Sequence, residues 1–166
     1  MENVVVTGLG AVSPVGIGVE AFWAALSSGQ SGIAQVTRFD CSSFRNNIAG
    51  EVKGFDPSTL GEDAAGLSRC HQYALSATQE AVANAALPDS LRIETGLCGG
   101  TNFGSLEWGQ QHLAAPFKEE AADPEWWEQF RFASGTNLIA ARLALCGPRA
   151  LLSLSCASGV AAIGFA

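Results

Sequence analysis

The sequence predicts an α/β fold, a sheet with parallel strands and helices on its faces. Two patterns carry that expectation. Short apolar or β-branched runs alternate with stretches of helical period along the chain, and glycine or proline marks most of the changes. A third observation is positional: Cys156 falls where an apolar strand-like run meets a small-residue helix, the edge from which open parallel sheets present reactive groups.

The first run, Val4-Val-Val-Thr7, is β-branched and bounded by Gly8-Leu-Gly10, which predicts a buried strand followed by a glycine loop. A dinucleotide-binding loop is disfavoured, because the third glycine is missing at the required spacing and Pro14 interrupts the helix such a loop needs. Glu20 to Ser28 places Phe22, Trp23 and Leu26 on one face and stops at Gly29, a short amphipathic helix expected to pack on the sheet. Arg38 to Pro57 is mixed in character. It reads as a surface excursion with a strand over Ile48 to Val52 and turns at Gly54 and Asp56-Pro57.

From Leu67 to Leu87 apolar residues recur at three and four, ending before Pro88, which predicts the longest helix. Ile93 to Cys98 reads as a second core strand feeding the loop Gly99 to Gly104. Another helix is expected from about Thr136 to Leu145, stopped by Gly147-Pro148, before the strand Ala150 to Ser155 that leads to Cys156. No repeat, low-complexity tract or linker divides the 166 residues, so one domain over 1–166 is expected.

Composition excludes several classes. Sixteen acidic against nine basic side chains give a net charge of −7 and no basic stripe, which argues against nucleic acid as a partner. Five carboxylates gather at Glu119, Glu120, Asp123, Glu125 and Glu128 beside Trp126 and Trp127, which reads as a solvated helix or loop with a tryptophan anchor. The five cysteines are odd in number and lack a Cys-x-x-Cys pair, so neither a disulfide framework nor a zinc ribbon is expected. His71 follows Cys70 directly and would point elsewhere on a helix, and His112 has no ligand-spaced partner. No metal and no cofactor are therefore expected. No signal peptide and no apolar run of about 18 residues are visible, so the expectation is a protein of a reducing cytoplasm with no membrane span.

At a sharp strand-to-helix turn Cys156 would point out of the sheet, with the first amides of the next helix gathered round its sulfur. Those amides and the helix dipole favour thiolate and can stabilise an oxyanion, so the position suits acyl transfer. The alternative is an ordinary buried thiol acting as a small hydrophobe.

Three early segments settle the comparison: Val4-Val-Val-Thr-Gly-Leu-Gly-Ala-Val-Ser-Pro-Val-Gly16, Phe22-Trp-Ala-Ala-Leu-Ser-Ser-Gly-Gln-Ser-Gly-Ile33, and Arg38-Phe-Asp40 with Ala49-Gly-Glu-Val52. With Gln72-Tyr-Ala-Leu75, Glu80-Ala81, Gly99-Gly-Thr101, Gly147-Pro148 and Ser155-Cys-Ala-Ser-Gly159, they resemble in order and spacing the N-terminal half of a β-ketoacyl-acyl-carrier-protein synthase of the thiolase superfamily.

The resemblance implies a thiolase-like mixed sheet with helices on both faces, Cys156 as the acyl-accepting nucleophile, and Phe103 as an acyl-pocket residue. It implies transfer from an acyl carrier protein thioester, then decarboxylative condensation with a malonyl thioester in fatty-acid or polyketide synthesis, in a homodimer. The family's two histidines and lysine lie downstream of its cysteine, and this sequence ends ten residues after Cys156. The expectation is a fragment whose C-terminal half is another segment or chain, inactive alone in condensation, with the apolar face of its last helix exposed. Arg38, Arg45, Lys53 and Arg69 are the only loose basic group for an acidic carrier. A thiolase or other coenzyme-A-dependent acyltransferase is the first alternative. A non-catalytic chain-length-factor-like subunit is the second, disfavoured because such proteins usually lack the cysteine.

Overall fold

The computed structural model describes residues 4–166. A short hairpin, β1 (Val12–Ser13) and β2 (Gly16–Ile17), leads into α1 (Val19–Ser27). The antiparallel pair β3 (Ile33–Gln35) and β4 (Ile48–Gly50) follows. Then come α2 (Arg69–Asn84), the single turn α3 (Asp89–Arg92) and β5 (Leu97–Gly100). An all-helical insert, α4 (Leu106–Ala114), α5 (Pro124–Phe130) and α6 (Ser134–Arg142), returns the chain to β6 (Arg149–Leu152) and α7 (Ser158–Phe165).

β5 and β6 pair in parallel from Leu97 opposite Arg149 to Gly100 opposite Leu152. The amide of Thr101 extends the ladder to the Leu152 carbonyl at 3.1 Å. Both strands therefore end together, and the loops after them emerge at one edge.

Helix α2 is the platform. Ser68 caps it, accepting from the His71 amide at 3.3 Å, and Pro88 follows its end. Leu75 is wholly buried and packs with Leu60, Ala64, Ile139, Ala140, Leu143 and Leu145. This is the interface of α2 with α6. Residues 8–10 cross the other side of α2, where a Cβ on Gly8 would lie 2.6 Å from the Ala85 nitrogen and one on Gly10 2.7 Å from the Ala77 carbonyl carbon. Glycine is required there by close approach.

Several expected elements differ. Val4–Thr7 is not a strand: Val4, Val5 and Val6 are exposed, and no ladder forms there. A strand exists only through a hydrogen-bonding neighbour, and residues 8–10 of this segment lie on a helix instead. α1 spans nearly the predicted residues but packs on the β1–β2 hairpin, leaving Trp23 68% and Leu26 48% exposed. The strand expected from Ile93 starts at Leu97, because Asp89 and Arg92 pair at 3.0 Å across the helical turn α3 and Ile93 closes it. Gly99 and Gly100 belong to the strand rather than the loop. A Cβ on Gly100 would sit 2.6 Å from the Ser158 carbonyl carbon, so α7 approaches too closely for a side chain. β6 stops at Leu152, short of Ser155, where the chain begins to turn.

The acidic stretch is a loop over residues 119–123 leading into a helix with a tryptophan anchor. Asp123 caps α5 through the Glu125 amide at 2.9 Å, and Trp126 stacks on Trp108 with ring centroids 6.0 Å apart. The apolar face of α7 is open, with Val160, Ile163 and Phe165 between 67% and 79% exposed. Among the described residues no helix is long and apolar enough to cross a membrane.

Glu80 on α2 joins three elements: its carboxylate accepts the Ala11 amide at 2.9 Å and the Val19 amide, the first of α1, at 2.7 Å. Glu80→Gln exchanges one acceptor for a donor facing an N–H. It should cost about 1–3 kcal/mol in urea unfolding. Leu75→Ala, which opens a cavity in the main core, should cost about 2–5 kcal/mol by the same measurement.

Candidate active site

After β6 the chain reverses through Leu154 and Ser155, then a single 3-10 turn over Ser155–Ala157 leads into α7. Ser155 has φ +52°, a left-handed conformation that costs a non-glycine residue about 1 kcal/mol or more. It is held there from below. The Ser158 hydroxyl, on a residue only 3% exposed, accepts the Leu154 amide at 2.8 Å and donates to the Ser155 carbonyl at 2.7 Å. Cys156 stands on top of this braced turn and is exposed.

The local arrangement departs from the expectation in one respect. The two amides after the cysteine do not stand free: Ala157 donates to the Leu154 carbonyl at 3.1 Å and Ser158 to the Ser155 carbonyl. A 3-10 turn precedes the helix and uses them for its own closure.

The remaining thiols are all unpaired. Cys70 and Cys146 are exposed, Cys98 is half-buried and Cys41 buried. The Cys70 thiol is pushed above its ordinary value by desolvation and secondarily by the Glu107 carboxylate. Phe103 lies on the loop after β5 and is 63% exposed. Beside that loop a cavity of about 160 Å³ is bordered by His71, Gly99, Thr101, Phe132, Thr136 and Leu151, so the aromatic wall there is Phe132.

The two histidines sit in different surroundings. His112 lies against Trp127, with ring centroids 5.5 Å apart. His71 is 4% exposed, with its Nε2 at 2.9 Å from the Ser105 hydroxyl and 3.1 Å from that of Ser134. Desolvation holds its pKa below the ordinary value, with Gln129 and Glu107 pulling weakly the other way. Sequence reading missed both the Ser158 brace and the serines around His71. Only Ser68 carried a signal, as a capping residue ahead of a long helical pattern. Among the described residues no three His, Cys, Asp or Glu side chains converge as metal ligands.

Comparison with known proteins places these features in context. The family model for the beta-ketoacyl synthase N-terminal domain matches residues 1–166. The 3-oxoacyl-[acyl-carrier-protein] synthase 2 of Vibrio cholerae is 33% identical over 176 residues, covering 99% of this chain and 41% of that protein. The chain thus spans about two fifths of the curated relatives it matches. A beta-ketoacyl synthase from Burkholderia phymatum superposes with a TM-score of 0.79 at 25% identity, over 100% of this chain and 43% of that one. A ketosynthase in a type II PKS complex with its acyl-carrier protein shares the fold, with a TM-score of 0.70 at 20% identity over 98% of this chain and 46% of that one.

Two variants test the braced turn. Ser155→Val places a β-branched residue at positive φ and should lose about 1–2 kcal/mol relative to Ser155→Gly in urea unfolding. In a timed iodoacetamide reaction with peptide mapping, Cys156 and Cys146 should be modified before Cys70, whose thiol is held neutral by desolvation, and before Cys98 and Cys41.

Proposed function

The chain belongs to the β-ketoacyl synthase family, matching its N-terminal domain over residues 1–166, and on that premise we propose that it supplies the nucleophile of a carbon–carbon bond-forming acyltransferase. One observation carries the reading: Cys156 is exposed on the braced turn between β6 and α7.

In the proposed first step the Cys156 thiolate attacks the carbonyl carbon of an acyl thioester. The tetrahedral oxyanion collapses and the carrier thiol leaves with a proton, giving an acyl-cysteine. In the second, a malonyl thioester loses carbon dioxide and its carbanion attacks the acyl-cysteine carbonyl. A carbon–carbon bond forms and the Cys156 thiolate departs. Proton handling in that step is assigned to neither His71, which is enclosed by serines, nor His112, which lies beside Trp127. Phe103, exposed on the loop after β5, is the proposed contact for the acyl chain.

An acyl carrier protein is the proposed donor. The likeness in fold to a ketosynthase in complex with its acyl-carrier protein supports it. A homodimer is proposed on the resemblance, and a reducing cytoplasm is proposed on the five unpaired thiols.

Incubation with an acyl-acyl-carrier-protein thioester should add one acyl mass to the protein, mapped to Cys156 and abolished in Cys156→Ala. Labelling from acetyl-coenzyme A but not from the carrier thioester would favour a thiolase-type acyltransferase. No adduct at Cys156 from either donor would refute the reading.

A further inference from the structure

The buried cluster around His71 joins three elements that are far apart in sequence. Ser68 caps α2, Ser105 stands at the start of α4, and Ser134 opens α6. Ser105 makes no cap bond to its own helix. Its hydroxyl is turned inward, 2.7 Å from the Ser68 hydroxyl and 2.9 Å from His71 Nε2. Ser68 and Ser105 are 0% and 1% exposed. Gln129 completes the group, accepting the Ser68 amide at 2.8 Å and donating to the Gly66 carbonyl at 3.0 Å.

Proton counting favours one tautomer of the imidazole. The Ser134 hydroxyl has one proton and donates it to the Gln129 carbonyl at 2.6 Å. Toward His71 it can only accept, so both Nε2 contacts are hydrogen bonds only in the tautomer that carries the hydrogen on Nε2 and donates to Ser134 and Ser105. The neutral ring thus pins the starts of α4 and α6 to α2. It also borders the cavity whose other walls are the end of β5, Phe132 and α6.

We propose that His71 is a positioning residue whose neutral imidazole latches the α4–α6 insert to α2, and that a second proton on the ring releases this wall of the cavity. Protonation leaves the Nε2 hydrogen in place but creates a cation among Ser68, Ser105, Ser134 and Gln129, all uncharged. Desolvation of the buried ring disfavours that cation and outweighs Gln129 and the Glu107 carboxylate, which favour it, and the charged groups on the packed elements have partners of their own. On α4, Glu107 accepts the Arg69 amide at 2.7 Å and pairs with its guanidinium at 3.7 Å. On α5, Glu125 accepts from Gln129 at 3.2 Å. On α2, the thiol of Cys70 is held neutral by desolvation. A histidine whose folded pKa is lowered stabilises the fold above its unfolded value of about 6.5, and the contribution is lost as pH falls through that value toward the folded one. The latch operates whatever reaction Cys156 performs.

Hydrogen exchange of the full-length protein, corrected for intrinsic rates, tests this between pH 8 and pH 5. Amides of residues 101–109 and 133–138 should lose at least tenfold in protection on acidification, while the Leu75 segment of α2 keeps its protection. His71→Gln supplies an uncharged donor near the Nε2 position and should keep the insert protected at both pH values. Should that variant fail to fold, ¹⁵N shifts of the wild-type imidazole decide: Nε2–H at pH 8, and a second proton appearing together with the loss of protection. Unchanged protection in the wild type down to pH 5, an Nδ1–H tautomer at pH 8, or equal acid loss in His71→Gln would each overturn the proposal.

Discussion

Close packing of α2 on α6, through Leu75, Ile139 and Ala140, sets the frame on which everything else in this chain is hung. Ile139 and Ala140 come more than 60 residues after Leu75, so the helical insert between β5 and β6 can close only once that contact is made. Closure places β5 beside β6, because α6 runs directly into β6 and α2 leads through α3 into β5. The second face of α2 is used as fully. Glycines let the N-terminal segment lie on its backbone, and Glu80 ties down the hairpin and α1.

The turn that carries Cys156 inherits its position from that frame. Parallel strands that stop together bring the loop of Phe103 and the cysteine turn to one edge. The turn itself is strained at Ser155 and stabilised by the buried Ser158 hydroxyl, so the energy of a left-handed residue is offset by two side-chain hydrogen bonds. Gly100 completes the arrangement by admitting the start of α7 against β5. An exposed thiol on a rigid support is what nucleophilic acyl transfer requires.

Legibility in the sequence followed the range of the forces involved. α2 is legible to within two or three residues because its period and the stop at Pro88 are local. The position of Cys156 at a strand-to-helix junction was likewise visible from the run before it and the small residues after it. Val4–Thr7 and Ile93 were misread for a shared reason. β-branched residues favour strands only where a neighbour supplies the ladder, and Ile93 instead closes a turn stabilised by the Asp89–Arg92 pair. The serines around His71 were invisible, since Ser68, Ser105 and Ser134 meet only after the insert folds back.

The sequence by itself determined the α2 helix, the strand-to-helix junction at Cys156 and the family to which the chain belongs, because helical period, turn chemistry and motif spacing are written along the chain. Tertiary structure alone decided which amides near Cys156 are already bonded, which aromatic borders the cavity, and which hydroxyls meet His71. Those depend on groups brought within hydrogen-bonding distance across dozens of residues, and such distances have no signature in local sequence.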